Sequence, residues 1–219
     1  MTLLCLLTSN RFKPFTTQAS PVTRILITAF EPYERWPENS SWLALCDLTR
    51  WYDGDLELVT RRYPVDLSRL SESLSKDLQG DFPLVIHLGQ APGSTHIQLE
   101  AIGLNVFRDG SKLIDDGPEA YRSNLPIETC ASKLREAGIP CRSSYHAGTY
   151  LCNAALYLNH HYTRIFGMQT ESIFIHLPLS PTQAVKDETH PASMSTPMAS
   201  AAVAIVMQSL AVASDKKST

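Results

Sequence analysis

The run RILITAF, from Arg24 to Phe30, followed by SWLALCDLTRWY (Ser41 to Tyr52) and LELVTRRYPV (Leu56 to Val65), decides the fold. The first segment is a short apolar, β-branched run, the second repeats its apolar residues at helical spacing, and the third reads as strand again. The same alternation continues outward. LSRLSESLSKDLQ (67–79) places Leu67, Leu70, Leu74 and Leu78 on one helical face, and PLVIHLGQA (83–91) is the next buried strand. HIQLEAIGLNVF (96–107) reads as a strand or a bent hairpin pair, and RDGSKLIDDGPEAYRSN (108–124), with Asp-Gly twice, as a turn-rich surface excursion. PIETCASKLREAG (126–138) has proline to start a helix and glycine to stop it. CRSSYH (141–146) is a strand, YLCNAALYLNHHYTRIFG (150–167) a long helix, ESIFIHLPLS (171–180) a strand, and Met194 to Ser214 a final helix. Parallel strands need long crossovers, and helices supply them with a right-handed turn. The expectation is an α/β fold: one three-layer α/β/α domain over 23–214 with a largely parallel central sheet, a loose extension over 1–22 and a short tail over 215–219.

With 219 residues the chain has the length of one domain, and 43% hydrophobic against 19% charged residues is ordinary globular composition. A formal charge of −3 with no basic block lacks the footprint that nucleic acid or an anionic membrane surface requires, so neither is expected as a partner. The segment Pro191–Ser214 carries no charge, but Ser, Thr, Gln and Pro197 interrupt it, so it reads as a helix packed on the sheet and not as a membrane span. The five cysteines, Cys5, Cys46, Cys130, Cys141 and Cys152, are odd in number and irregular in spacing, which points to a reducing, cytoplasmic setting. The opening MTLLCLLTSN lacks the basic start and cleavage site of a signal peptide.

In an open parallel sheet ligands bind beyond the carboxyl ends of the strands, so the residues there are the ones to inspect. Cys152 stands out. In SYHAGTYLCN (144–153) the strand turns into a helix at Ala-Gly-Thr, placing the thiol in the first helical turn beside unpaired N–H groups and the positive end of the dipole. That setting favours a thiolate nucleophile and can hold an oxyanion, although a lone helix cysteine also serves as a small buried hydrophobe. Of seven histidines, His176 in FIHLP lies at a rigid strand end and is the best-placed proton carrier. His146 sits on the approach to the turn, His87 reads as a core histidine, His160 and His161 as solvent-facing or helix-terminal residues, and His96 and His190 as loop residues. Glu100, a carboxylate within the apolar HIQLEAIGLN, is either an orienter of the imidazole or a surface-facing strand residue. No H-E-x-x-H, C-x-x-C or phosphate-cradling glycine pattern occurs, so neither a metal nor a nucleotide cofactor is expected.

With these residues laid out, the chain from about Arg24 to Pro181 resembles the pyrrolidone-carboxylate peptidases, the type I pyroglutamyl peptidases. SYHAGTYLCN is similar to the family's nucleophile motif, FIHLP to its histidine segment, GQAPGSTHIQLEAIGLN to its Gly-Gln turn and glutamate segment, and TAFEPYERWPENSSW to its opening motif. The resemblance implies a phosphorylase/hydrolase-like fold and a cofactor-free cysteine exopeptidase that removes N-terminal pyroglutamate from peptides. Cys152 would be the nucleophile, His176 the acid/base and Glu100 the orienter. Phe30 and Tyr33 would flank the lactam ring, the backbone around Gln90 would pair with the lactam amide, and Asn39 would bind substrate or fix its loop. A homo-oligomer, a tetramer in the family, is implied as well. Departures from the family pattern stand at Ala29, Ser94 and Ala101, and the stretch between Asn105 and Tyr121 is shorter, with Arg108 only a loose match for a family arginine. They leave two other readings open: a thiol amidase for another small lactam or amide, and a non-catalytic member of the fold that binds a small molecule.

Overall fold

The computed structural model describes residues 24–215; the extension expected over 1–22, Cys5 and nearly all of the 215–219 tail lie outside it. In chain order the elements are β1 (Arg24–Phe30), α1 (Ser40–Trp51), β2 (Glu57–Tyr63), α2 (Leu67–Leu78), β3 (Leu84–Gln90), β4 (Ile97–Glu100) and β5 (Ile102–Leu104). They are followed by β6 (Ala120–Arg122), α3 (Ile127–Glu136), β7 (Cys141–Ser144), α4 (Leu151–Ile165), β8 (Glu171–Leu177), α5 (Pro181–Ala184) and α6 (Thr196–Asp215).

Six strands form the central sheet in the order β2-β1-β3-β8-β4-β7. Neighbours run parallel except where β4 meets β8, with Gln98 opposite His176 and Glu100 opposite Phe174. The sheet is therefore mixed by one antiparallel step, which arises because β3 leads into β4 through the 91–96 loop with no helix between them. The turn-rich excursion also contains a strand: β6 pairs antiparallel with β5 in a separate small sheet.

Because side chains alternate across a strand, both faces of a covered sheet must be apolar. Ile25, Ile27 and Ala29 of β1, with Leu84, Ile86 and Leu88 of β3, pack against α1, α3 and α6. Leu26 and Phe30, with Val85 of β3 and Phe174 of β8, pack on the other face against α2 and α4. Helix α2 has Asp66 as N-cap, accepting from the Arg69 N–H at 2.9 Å, and buries the stripe Leu70, Leu74 and Leu78. Helix α6 fills the opposite face with Val203, Val206, Met207 and Leu210. No described helix is long and apolar enough to cross a membrane.

Strand parity places the chemistry. Thr28, His87, Gly89, Glu100 and His176 alternate with residues that face α1 and α6, so all five share the face covered by α4, the helix that carries Cys152.

Candidate active site

The site is built where α4 begins. Gly148 takes φ +78° in the turn after β7, a conformation that costs other residues strain, and the chain then enters the helix through Tyr150. Tyr150 provides no side-chain cap, so the N–H groups of the first turn, where Cys152 lies, are not claimed by a capping oxygen. Beneath the thiol runs β3, and Gly89 permits the approach. A Cβ on Gly89 would stand 3.1 Å from Cys152 Sγ and 2.5 Å from the Phe174 ring. Asn153, the next residue, is fully buried and ties α4 to β5 by accepting from the Leu104 N–H and donating to the Leu104 and Val106 carbonyls.

The three candidate catalytic residues come together. His176, 9% exposed, meets Glu100, 1% exposed, through Nδ1 and Oε1 at 2.8 Å. This is a diagonal pair across the antiparallel β4–β8 step, so the one reversal in the sheet is what brings carboxylate and imidazole together. The same imidazole interacts with Cys152 by charge and hydrogen bonding. Burial opposes the imidazolium, but the Cys152 charge and hydrogen bond, joined by Glu100, outweigh it and push His176 up to about 10. Among the described residues Glu100 Oε2 has no partner, and the imidazole is the one hydrogen-bonded neighbour of this buried carboxylate. The alternative of a surface-facing Glu100 is thereby excluded. His146, the nearest rival base in sequence, is exposed, and its Nδ1 accepts from the Gly148 N–H at 3.1 Å.

The other candidates line up around this centre with distinct duties. Phe30, 4% exposed, packs on Phe174 with ring centroids 6.3 Å apart, and Phe174 in turn lies 4.8 Å from the His176 ring. Tyr33 is partly buried; burial first, then the Cys152 charge, pushes its hydroxyl up to about 12, while the Gln90 side chain works the other way. Asn39 is the N-cap of α1: Oδ1 accepts from the Ser41 N–H and hydroxyl, and Nδ2 donates to the Glu31 carbonyl at 3.0 Å. Every bond it makes is to its own loop, which is the loop-fixing half of the expectation. After Gln90 the Ala91 N–H donates to the Leu177 carbonyl, so at this step the ladder to β8 is made by Ala91 and the Gln90 N–H and C=O face the β1 side, where the pairing of β1 with β3 ends at Thr28 and His87. The Gln90 side chain is anchored through Oε1, which accepts from the Ser40 N–H at 2.8 Å and from Gln183 Nε2 at 2.7 Å.

The departures fall mostly away from the thiol. Ala29 and Ala101 both lie in the core on the α1 and α6 face, opposite the site. Ser94 closes its own turn by donating to the His96 carbonyl at 2.7 Å. The 105–117 segment is organised by Asn105, which pairs with Leu113, Ile114 and Gly117, and it returns to the site through Phe107, tilted against the Tyr150 ring, and Arg108, whose guanidinium lies over that ring.

Two expectations about histidines diverge. His87 is a satisfied core residue, between Thr28 Oγ1 at 2.7 Å and Asn159 Oδ1 at 3.0 Å, with burial pushing it down to about 4. His160 and His161 are half-buried and not freely solvent-facing: His160 contacts Ser172 Oγ at 3.3 Å, and His161 stacks on Tyr157 and contacts the Tyr121 hydroxyl. The excursion strand β6 brings Tyr121 onto this part of α4, which a reading of the helix alone could not foresee. Gln183 also escaped the sequence reading. Its sole signature, Ser180-Pro-Thr-Gln183, is a capping box, which marks a helix start and carries no hint of chemistry. Among the described residues no cluster of three His, Cys, Asp or Glu side chains is arranged to hold a metal.

The family model of pyroglutamyl peptidase matches residues 23–213. A pyrrolidone-carboxylate peptidase of Clavibacter michiganensis is 33% identical over 207 residues, covering 88% of this chain and 95% of that protein. One from Pyrococcus furiosus is 36% identical over 174 residues, covering 74% of this chain and 84% of its own length. Among solved structures, the pyrrolidone carboxyl peptidase of Thermococcus litoralis superposes with TM-score 0.82 at 29% identity, over 89% of this chain and 96% of that one. That of Fervidobacterium islandicum gives 0.80 at 30% identity, over 85% and 97%. With a family model spanning nearly the whole described domain, and relatives similar in sequence and in fold, the chain belongs to the pyroglutamyl peptidase family.

Proposed function

We propose that the chain is a cysteine exopeptidase that removes N-terminal pyroglutamate from peptides through an acyl-enzyme on Cys152. The observation that carries the reading is the buried Glu100–His176 pair, with Cys152 at the start of α4 acting on the same imidazole. Cys152 acts as nucleophile: its thiolate sulfur forms a bond to the carbonyl carbon between pyroglutamate and the next residue, and the oxyanion faces the uncapped N–H groups of the helix. His176, held as imidazolium, gives its proton to the departing amine as the C–N bond breaks. The neutral imidazole then takes a proton from water, which attacks the thioester and frees pyroglutamate and the thiolate. Glu100 orients the ring through Nδ1, which leaves Nε2 for this traffic.

Phe30 and Tyr33 bound the ring pocket, the backbone around Gln90 pairs with the lactam amide, and Asn39 holds the opening loop. A neutral lactam has no charge to grip, so apolar walls and a few placed polar groups must select it. The proposal includes a reducing, cytoplasmic setting, supported by the free thiols of Cys46, Cys130, Cys141 and Cys152, and the homo-oligomer that the family resemblance implies.

The test is selectivity. A prolyl ring lacks the lactam oxygen and carries a positive charge, so it leaves the groups that pair with the lactam unsatisfied and must be desolvated as a cation. The expected ratio of kcat/KM for matched pyroglutamyl and prolyl amides is about 10⁴ or more, the range for a site built around a missing hydrogen-bonding group. Comparable values for the two would favour a thiol amidase of another kind.

A further inference from the structure

We propose that Arg142, held by Gln98, forms a subsite on the leaving-group side of the thiol, where it takes a carboxylate within the first two residues after the scissile bond. This rests on the reading of the chain as a pyroglutamyl peptidase.

One row of residues crosses the sheet through the catalytic centre. Gly89 of β3 stands opposite His176 of β8, His176 opposite Gln98 of β4, and Gln98 opposite Arg142 of β7. Residues paired in a ladder share a face, so Gln98 and Arg142 lie on the face of the imidazole. Their neighbours take the other face: Ile97, Leu99 and Cys141 belong to the core under α3 and α6, and Cys141 Sγ donates to the Ala131 carbonyl of α3 at 3.2 Å. With adjacent strands about 4.8 Å apart, the backbone of Gln98 is one step from His176 and that of Arg142 two, about 10 Å.

That row gives the substrate a direction. The ring pocket bounded by Phe30 and Tyr33 lies at the end of β1, and the thiol stands over Gly89 of the neighbouring β3. His176, which protonates the departing amine, is on the next strand away from β1. A peptide with its ring at β1 and its leaving nitrogen at His176 continues over β4 and β7. An extended chain advances about 3.5 Å per residue, so the first two residues of the leaving peptide come within reach of the Arg142 side chain.

The groups that meet them are fixed. Arg142 Nη2 donates to Gln98 Oε1 at 3.2 Å, and Gln98 Nε2 donates to Ser94 Oγ at 3.4 Å. The Gln98 amide thus has a donor at its oxygen and an acceptor at its nitrogen, and it draws the guanidinium towards β4. Ser94, one of the departures from the family pattern, is what anchors it. Arg142 is exposed, and among the described residues no carboxylate pairs with it. A planar guanidinium with donors to spare suits a carboxylate, held by two parallel N–H groups. Two sources supply one: the C-terminal carboxylate of a pyroglutamyl dipeptide, or an acidic side chain beside the scissile bond.

The experiment measures kcat/KM for pyroglutamyl-alanine, pyroglutamyl-glutamate amide and the neutral pyroglutamyl-alanine amide, with the wild type, Arg142→Gln and Arg142→Glu. The readout is the ratio of each carboxylate substrate to the neutral one, in which a general loss of activity cancels. At least one ratio is expected to fall about threefold to fivefold in Arg142→Gln, the range for an exposed charge pair, and the wild-type ratio to fall with added salt. Arg142→Glu should lower it further and favour pyroglutamyl-lysine amide over the alanine amide. A change confined to pyroglutamyl-alanine assigns the subsite to the C-terminal carboxylate, and one confined to the glutamate amide assigns it to the side chain. Equal ratios in all three proteins would overturn the subsite and leave the peptidase standing. No hydrolysis of any of these substrates by the wild type would remove the peptidase reading and the proposal with it.

Discussion

His176 has two acidic neighbours, Cys152 and Glu100, and the chemistry follows from that. Burial alone would keep the imidazole neutral, as it does at His87, which is held at about 4 by desolvation despite its bond to Asn159. At His176 Cys152 and Glu100 reverse the outcome and push it up to about 10. Removing the Glu100 charge takes away one of the influences that raise it. Glu100→Gln is therefore expected to move the alkaline limb of the kcat/KM profile to lower pH, with a milder loss of rate than His176→Ala, and a pH titration of both variants checks it. An alkaline limb that stays in place in Glu100→Gln would mean that another group titrates there. Among the cysteines, Cys46→Ala, Cys130→Ala and Cys141→Ala should leave turnover within about tenfold, whereas Cys152→Ala should lose about three orders of magnitude or more. Cys152 and His176 were legible in the sequence because a helix start and a strand end are local features. The anchoring of the Gln90 side chain was not, since it depends on Gln183, which is 93 residues away.

Among the elements, β3 and the start of α4 have to come unusually close, and Gly89 is the residue that permits it. Gly89→Ala would put a Cβ 2.5 Å from the Phe174 ring and 3.1 Å from Cys152 Sγ, so either the ring or the helix must shift. The expectation is overpacking of about 1–3 kcal/mol together with a large fall in kcat, read by denaturant unfolding and steady-state kinetics on the same preparation. Wild-type stability and turnover in this variant would mean that the β3–α4 contact is looser than described. The strand–helix rhythm made nearly every element legible, including α2, whose buried stripe of Leu70, Leu74 and Leu78 is plain in the spacing. The antiparallel step between β4 and β8 was not legible, because β4 docks beside a strand late in the chain and the choice of neighbour leaves no periodic trace. That hidden step is what pairs Glu100 with His176.

Across the whole molecule, the face under α4 concentrates titratable groups, and this shapes stability as well as catalysis. His87 and His160 are both pushed down by burial, each to about 4. Unfolded, each would titrate near 6.5, so between about 6.5 and 4 the unfolded chain binds protons that the folded one refuses. The contribution of these two residues to stability therefore falls as pH drops through that window, by up to about 1.4 kcal/mol per pH unit for each, and is retained above it. His87→Gln should flatten the dependence by up to one proton, measurable as the slope of unfolding free energy against pH; an unaltered slope would assign the acid sensitivity to other groups. The three-layer architecture was legible in composition and rhythm, while the β5–β6 sheet that buries part of α4 was hidden in a segment read as a turn-rich excursion. All of this structure converges on one thiol. The most direct measurement is to follow hydrolysis of a pyroglutamyl coumarin amide during titration with iodoacetamide, mapping the modified cysteines by mass spectrometry. Activity should be present at the outset and vanish in step with alkylation of Cys152; no hydrolysis by the intact protein, or hydrolysis that survives complete alkylation of Cys152, would contradict the account.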